Sequence, residues 1–357
     1  MKRPGIPKNA KRVKPASANR STTRTVTTRH GILAGGNWII DHVKLVDTWP
    51  SQDSLATITS QTDGNGGGPY NVLINLARLK CGFPLAGVGS IGQDAAGEKI
   101  LRDCDAHHID RAAIRRTGES PTAYTDVMTV AGSGRRTFFH HHGANALLDR
   151  SHFALHQTSA RVFYLGYLGL LSRLDRLDRN GRTPAACLLE EARTLGLMTV
   201  ADLVSNETSK LSTIVKPSLP HVDYLLLNEY ELARLVDEKA GKSRVQLEHQ
   251  AHVVLKQGVH RAVVVHWPEG SLCVGRSDGV LYQPSVRIPP ESIVGTAGAG
   301  DAFSAGFIFG LHKGWELQRC LELGVCTAAT SLRAVTCSTA VKPWKSCLAF
   351  GRRFGFR

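Results

Sequence analysis

The chain has 357 residues, 42% of them apolar, which is enough to bury the core of one large α/β domain or of two domains. Its formal net charge of +14 is concentrated at one end: residues 1–30 hold nine Lys/Arg and no acidic residue, which leaves 35 basic against 30 acidic residues elsewhere. No run of 18 apolar residues is present to span a membrane, and no apolar segment is typical of a secretory signal. Since the eight cysteines form no Cys-x-x-Cys pair, we expect a cytoplasmic protein with reduced thiols.

The basic segment 1–30 is rich in Ser, Thr and Pro, and its composition predicts a disordered tail. It fits a nucleic-acid-binding arm or an organelle transit peptide. It fits equally well a solvated extension or the product of an upstream start codon, and we favour these last two. Nucleic acid is therefore not an expected partner, except through this tail.

Apolar runs and turn residues predict alternating strands and helices in the rest of the chain. A short strand at 32–34 ends in two glycines, and extended segments follow between 42 and 62. The glycine-rich run 64–69 then breaks regular structure before a helix that contains 72–79. A strand at 86–89, a helix at 95–105 and a hairpin joining 122–130 to 136–139 come next.

From residue 160 onward the alternation becomes regular. Strands are predicted at 162–165, 198–202, 224–227, 262–265 and 272–274, and helices at 183–195, 229–238 and 246–257. This order indicates a mostly parallel sheet with helices on both faces. Ligands of such sheets bind beyond the carboxyl ends of the strands.

The segment Gly298-Ala299-Gly300-Asp301, which opens an apolar run from Ala302 to Leu311, carries the strongest functional signal. Small residues let backbone N–H groups approach an anion, and the helix that follows directs its positive dipole end to the same point. A bound phosphate would repel Asp301, so the simplest purpose of this carboxylate is to take a proton from a hydroxyl that attacks the phosphate. The alternative is an ordinary glycine turn with Asp301 as the helix N-cap.

Six motifs in order resemble those of the ribokinase/PfkB family of sugar and nucleoside kinases, over residues 31–345. They are Gly36-Asn37 with Asp41, Gly66-Gly67 with Asn71, Val88-Gly89-Ser90-Ile91-Gly92-Gln93-Asp94 with Gly97, Gly143-Ala144-Asn145, Asn228-Glu229-Tyr230-Glu231 and Gly298-Ala299-Gly300-Asp301. The resemblance implies a ribokinase-like α/β fold, with a doubly wound, mostly parallel sheet, helices on both faces and a small β-sheet lid. The lid would comprise about 42–62 and 120–140, and residues 346–357 would form a C-terminal extension.

The resemblance also assigns roles to residues of the acceptor and transfer site. Asp301 would be the general base, and the amides of Gly298, Ala299 and Gly300 would stabilise the transferring phosphoryl group. The residues implied to bind the sugar are Asn37, Asp41, Gly66, Gly67, Asn71 and Asn145. Two of these have structural alternatives, Asn71 as a helix N-cap and Asp41 as a turn residue at a strand end.

On the nucleotide side the resemblance implies ATP and Mg²⁺ as cofactors. Asn228, Glu231, Thr296, Gly298 and Gly300 would bind the nucleotide and the metal. Mg²⁺ would be held through water near Glu231; the alternative for Asn228 and Glu231 is a helix-capping pair.

Two departures from the family pattern limit what the resemblance implies. Gly295 stands where relatives activated by potassium carry an aspartate, so monovalent-cation activation is doubtful. Segment 266–270 replaces a Thr-x-Gly loop, and Pro268 has no N–H to donate to phosphate. Trp267 in this segment would stack on a purine or fill the core.

The resulting hypothesis is an ATP-dependent phosphotransferase that acts on a hydroxymethyl group of a small sugar or sugar acid. A nucleoside kinase of the same family and a non-catalytic sugar-binding regulator are the alternatives. Phe138 or Phe139 in the lid would serve a homodimer interface, or these residues would pack on their own domain. The expected partners are therefore a small sugar, ATP and, through the lid, a second copy of the chain. A membrane is not an expected partner.

Overall fold

A computed structural model describes residues 1–2, 29–132, 135–205, 210–241 and 243–357. Nearly all of the basic segment 1–30 and the centre of the predicted hairpin turn at 131–135 lie outside these ranges. The described strands are β1 (Ile32–Gly36), β2 (Ile39–Val46), β3 (Ile58–Gly66), β4 (Leu85–Gly92), β5 (Ile109–Thr117), β6 (Ala123–Val130), β7 (Arg136–His141), β8 (Val162–Leu168), β9 (Met198–Leu203), β10 (Tyr224–Asn228), β11 (Ala262–Trp267), β12 (Gly270–Gly275) and β13 (Gly279–Pro284).

Nine of these strands form one large sheet in the order β13-β12-β11-β10-β9-β8-β1-β4-β5. From β5 to β11 all neighbours are parallel, whereas β12 and β13 add an antiparallel edge. The central strands are buried on both faces, as continuous apolar runs such as the one in β10 require. The carboxyl ends of β1, β8, β9, β10 and β11 therefore lie along one edge of the sheet.

Helices cover both faces of this sheet, as predicted. They are α1 (Gly68–Arg78), α2 (Ala95–Ala106), α3 (Pro184–Thr194), α4 (Leu211–Val215), α5 (Glu229–Val236), α6 (Arg244–Lys256), α7 (Ala299–Lys313), α8 (Leu317–Ser331) and α9 (Trp344–Phe354). The apolar side chains of α1, α2, α7, α8 and α9 share one core with the sheet, and those of α3 to α6 share a second core on the opposite face. Among the described residues, no helix combines the length and apolarity that a bilayer crossing requires.

The small second sheet has the order β3-β2-β6-β7. Strand β2 pairs antiparallel with β3 and parallel with β6, and β7 pairs antiparallel with β6. This sheet extends further toward the large sheet than the predicted ranges 42–62 and 120–140. Only Asn37 and Trp38 separate β1 from β2, so the two sheets meet where β1 ends.

Other boundaries also differ from the sequence predictions. The run 64–69 does not break regular structure throughout, since β3 continues to Gly66 and α1 begins at Gly68. Strands β5 and β13 and helices α8 and α9 were not predicted. The boundary placed after residue 345 falls inside α9, where Cys347 and Leu348 are buried against the core. The segment 346–357 therefore packs against the α/β domain.

Candidate active site

Helix α7 begins at a glycine whose backbone only glycine adopts readily. Gly298 is the N-cap residue and has a φ of 70°, in the left-handed region. A Cβ atom at this position would lie 2.3 Å from the Cβ of Cys337. The Ala302 N–H donates to the Gly298 carbonyl at 2.9 Å and closes the first turn. Since Gly298 caps the helix, the alternative of Asp301 as N-cap is wrong.

The start of α7 offers backbone donors that have no partner. Within the described residues, no acceptor receives a hydrogen bond from the amides of Gly298, Gly300 or Asp301. The amide of Ala299, which we expected in the same group, instead makes a 3.4 Å contact with the Thr296 carbonyl. Free amides at the positive end of a helix provide a binding place for an anion.

The Asp301 carboxylate is buried and held by two side chains from other elements. The Tyr167 phenol, next to the end of β8, donates to Oδ1 at 2.7 Å, and the Asn71 amide in α1 donates to Oδ2 at 2.7 Å. Burial raises the pKa of Asp301 to about 6, although both hydrogen bonds act to lower it. A carboxylate with this pKa is ionised at neutral pH and can accept a proton.

Asn71 is itself fixed by a chain of hydrogen bonds. Its Oδ1 atom accepts from Asn65 Nδ2 at 2.6 Å, and Asn65 Oδ1 accepts from Ser338 Oγ at 2.8 Å. Asn71 is not the N-cap of α1, because Gly67 occupies that position. Its side chain is therefore used for contacts at the cleft.

Each of three consecutive glycines makes room for a group at the site. A Cβ at Gly66 would lie 2.3 Å from the Asp41 carboxylate, and one at Gly68 would lie 2.6 Å from the Tyr164 hydroxyl. Gly67 has a φ of 85°, and its Cβ would collide with the Asn37 carbonyl. The Gly-Gly signature thus reflects close packing between the two sheets and α1.

Asp41 lies in the second sheet and faces the same cleft as Asp301. It is a ladder residue of β2 opposite Gly64, so the alternative of a turn residue is wrong. Burial and the negative charge of Asp301 together raise the pKa of Asp41 to about 8. The Cys337 thiol approaches its Oδ2 at 3.8 Å. Two carboxyl groups with such different pKa values are suited to different tasks.

Asn37 and Asn145, predicted as sugar ligands, have other partners. The Oδ1 atom of Asn37 accepts from the Tyr167 N–H at 3.0 Å, and its Nδ2 donates to the Leu170 carbonyl at 3.1 Å. Asn145 makes two 3.1 Å hydrogen bonds with the backbone of Trp38. Both side chains are buried and fix loops around the cleft, because unpaired backbone groups there would be costly. That they also bind the sugar stays a prediction.

Asn228 and Glu231 form a capping box at the start of α5, as the structural alternative predicted. The Asn228 Oδ1 accepts from the amides of Tyr230 and Glu231, and the Glu231 carboxylate accepts from the Asn228 amide, all at 2.9 Å. Ser205 Oγ donates to Glu231 Oε1 at 2.9 Å. Burial raises the pKa of Glu231 to about 7. No group of three or more His, Cys, Asp or Glu side chains in the described ranges could hold a metal ion.

A cavity of about 320 Å³ adjoins the start of α7 at Ala299 and Gly300. Its mostly apolar lining includes Trp267, Pro268, Thr296, Gly300 and Phe303. Trp267 also stacks on Tyr282, with ring centroids 6.0 Å apart. An apolar cavity that opens onto anion-binding amides suits a nucleotide base with its phosphates directed at the helix.

Sequence reasoning missed several residues of this site. Tyr167 follows the predicted strand 162–165, so the rule that ligands gather beyond strand ends would have found it. Arg136 starts β7 and contacts Thr296 across the cleft. No sequence pattern indicated that Cys337 approaches Asp41, since Cys337 lies in an irregular segment after α8.

Known proteins resemble this chain in sequence and in fold. The model of the pfkB family of carbohydrate kinases matches residues 30–345. An ATP-dependent ribose-1-phosphate kinase of Halopiger xanaduensis is 27% identical over 316 residues, which cover 85% of this chain and 92% of the relative. Ribokinase from Arabidopsis thaliana, solved with ribose and ATP, superposes with a TM-score of 0.74 at 21% identity, over 90% of this chain and 99% of the other. A nucleoside kinase of Burkholderia thailandensis, solved with inosine, superposes with a TM-score of 0.71 at 19% identity, over 91% of this chain and 99% of the other. The chain belongs to the pfkB family of carbohydrate kinases.

Proposed function

We propose that this carbohydrate kinase transfers the γ-phosphoryl group of ATP to a hydroxymethyl group of a small sugar or sugar acid. The observation that carries the proposal is the position of Asp301, which is buried beside unpartnered amides of α7 and shares a cleft with Asp41 and Asn71. Asp41 and the backbone of Gly66 and Gly67 would face the sugar, since a carboxyl group whose pKa is raised to about 8 can both donate to and accept from neighbouring hydroxyls.

The transfer step follows from these positions. The acceptor hydroxyl gives its proton to Asp301 while its oxygen forms a bond to the γ-phosphorus. The bond between that phosphorus and the β,γ-bridging oxygen breaks, and ADP leaves with the electron pair. The amides of Gly298 and Gly300 stabilise the charge on the phosphoryl oxygens.

The groups near α5 fit Mg²⁺ only through water. The oxygens of Asn228 and Glu231 already accept hydrogen bonds from the capping box, so direct coordination would disrupt the start of the helix. Mg²⁺ keeps much of its hydration in proteins and, when bound, neutralises charge on the phosphates. Asn228 and Glu231 would hold its water ligands, and Thr296 would lie beside the nucleotide phosphates.

The second sheet would act as a lid that excludes water from the reaction. Phe138 and Phe139 on β7 are both exposed and, as successive strand residues, point to opposite faces of this sheet. Trp49 stacks on Phe139, with ring centroids 6.3 Å apart. A homodimer through the lid stays a prediction. All eight cysteines are free thiols, in keeping with the cytoplasm as the proposed compartment.

Replacing Asp41 with alanine is expected to weaken sugar binding specifically. Loss of two hydrogen bonds to the sugar should raise its KM about 10- to 100-fold and leave the KM for ATP within about twofold. Asp63→Ala is the matched control, because Asp63 lies on the neighbouring strand, faces the other side of the sheet and pairs with His42. An Asp41→Ala variant with an unchanged sugar KM would exclude Asp41 from the acceptor site.

The proposed function is tested by coupled ADP release with ribose, fructose, 2-keto-3-deoxygluconate, ribose 1-phosphate and adenosine. We expect Mg²⁺-dependent turnover with a sugar or sugar acid, and no stimulation by K⁺ because Gly295 cannot supply a carboxylate ligand. Preference for adenosine would favour the nucleoside-kinase alternative. Sugar binding by calorimetry without ADP release from any acceptor would favour a non-catalytic regulator.

A further inference from the structure

The Tyr167 phenol makes the second of the two side-chain contacts that hold Asp301. It donates to Oδ1 at 2.7 Å, opposite the Asn71 contact to Oδ2 at the same distance. A carboxylate has about four lone-pair positions, so each oxygen keeps one for a further donor. Both oxygens are thus oriented by the protein, and the acceptor hydroxyl can still bond to either.

The position of Tyr167 is itself built by its surroundings. Asn37 accepts from the Tyr167 N–H at 3.0 Å, which fixes its backbone. A Cβ at Gly68 would lie 3.2 Å from the Tyr167 ring, so a side chain there would crowd the phenol. Burial and the charge of Asp301 raise the pKa of the Tyr167 phenol well above its usual value, which keeps it a neutral donor.

We propose that Tyr167 is a positioning residue for the general base: its phenol and the Asn71 amide together hold the Asp301 carboxylate in the one orientation that faces the acceptor alcohol. The proposal rests on the proposed function of Asp301. A hydrogen bond to the ionised form also favours that form, so Tyr167 should extend the activity of the base to lower pH.

Other titratable groups also interact with Asp301 and must be considered in a pH experiment. They are Asp41 on β2, Tyr164 on β8, Asp202 on β9, Glu231 on α5 and Cys337 after α8. Among them Asp41, with a pKa of about 8, and Glu231, with a pKa of about 7, titrate near neutral pH. The Tyr167→Phe substitution leaves all five side chains in place. A difference in pH dependence between this variant and the unchanged protein therefore reports the Tyr167 hydroxyl.

The test compares Tyr167→Phe with the unchanged protein across pH. We expect the acid limb of the kcat/KM profile to move up by about one pH unit, because the ionised carboxylate loses a donor. At pH 6 this corresponds to a loss of about fivefold, which shrinks toward pH 8. Tyr70→Phe is the matched control: the Tyr70 phenol also donates to a carboxylate, that of Asp103, but between α1 and α2 and away from the cleft.

A second readout does not depend on turnover. The carboxyl ¹³C signal of Asp301, identified by its absence in Asp301→Asn, is titrated by NMR in both proteins without substrate. An upward pKa shift in Tyr167→Phe, absent in Tyr70→Phe, supports the proposal. Identical midpoints for Tyr167→Phe and the unchanged protein would overturn it. Should the unchanged protein show no Asp301-dependent transfer, the proposed function fails, and this titration still decides whether Tyr167 holds the carboxylate.

Discussion

The Asp301→Asn variant is expected to keep its fold and to lose about 10²–10⁴-fold in turnover, the usual contribution of a positioned general base. Asparagine has the shape of aspartate and can still accept the Tyr167 hydrogen bond, but it cannot take a proton from the acceptor alcohol. The loss should appear in kcat, with the KM values for sugar and ATP changed little. Steady-state kinetics by coupled ADP release measures it, and circular dichroism verifies the fold.

Asp202→Asn is the control for this substitution. Asp202 lies nearby at the end of β9, and burial together with the charges of Asp301 and Glu231 raises its pKa well above the usual range. Asparagine has the same shape and keeps an oxygen that can accept a hydrogen bond, and the printed partners of Asp202 are Tyr164, Leu203 and Ser304, so activity should stay within a few-fold. A near-normal turnover of Asp301→Asn would remove Asp301 from the mechanism.

The pH dependence of activity in the unchanged protein tests the same role of Asp301. Asp301 must be ionised to accept a proton, and its pKa is about 6. Activity should therefore be retained above this pH and fall about tenfold per unit below it.

Gly298→Ala is expected to abolish most activity by deforming the anion-binding turn. The residue has a left-handed φ of 70°, and a Cβ would lie 2.3 Å from the Cβ of Cys337. Either the turn or the Cys337 segment must move, which displaces the free amides from the phosphoryl group. Loss of one such donor typically costs about 10²–10³-fold in kcat, and we expect a loss in this range.

The same helix provides the control. Gly314 ends α7 with the same φ of 70°, but no atom lies within 4 Å of a Cβ built there. Gly314→Ala should lower the free energy of unfolding by about 1–2 kcal/mol through left-handed strain alone, without loss of activity. If Gly298→Ala differed from Gly314→Ala neither in kcat nor in thermal stability, the collision and its consequence would be refuted.

Much of the fold follows from patterns that the sequence displays directly. The central strands, such as Tyr224–Asn228 in β10, are apolar runs bounded by turn residues, and parallel pairing demands such runs. Strand β5 was missed because it is at the sheet edge, where polar and exposed residues dominate. Helix α9 was missed because segment 346–357 was treated as an extension. In the structure the buried face of α9 packs on α8.

The candidate site was predictable where strand ends and glycines determine the geometry. Asp41, Asn71 and Asp301 meet because β2, α1 and α7 all start next to the carboxyl edge of the sheet. The amide groups of Asn37 and Asn145 could not be placed from sequence, since their hydrogen bonds go to the backbone of distant segments. The place of Tyr167 at a strand end was predictable, but the contact of its phenol with Asp301 was not, since the far end of a long side chain depends on the packing around it.

The most direct measurement is a crystal structure of the protein with a sugar substrate and a non-hydrolysable ATP analogue. We expect the acceptor hydroxyl oxygen within about 3 Å of an Asp301 carboxylate oxygen, and the γ-phosphate on the amides at the start of α7. A sugar whose hydroxyls all lie beyond hydrogen-bonding reach of Asp301 in the closed complex would contradict it.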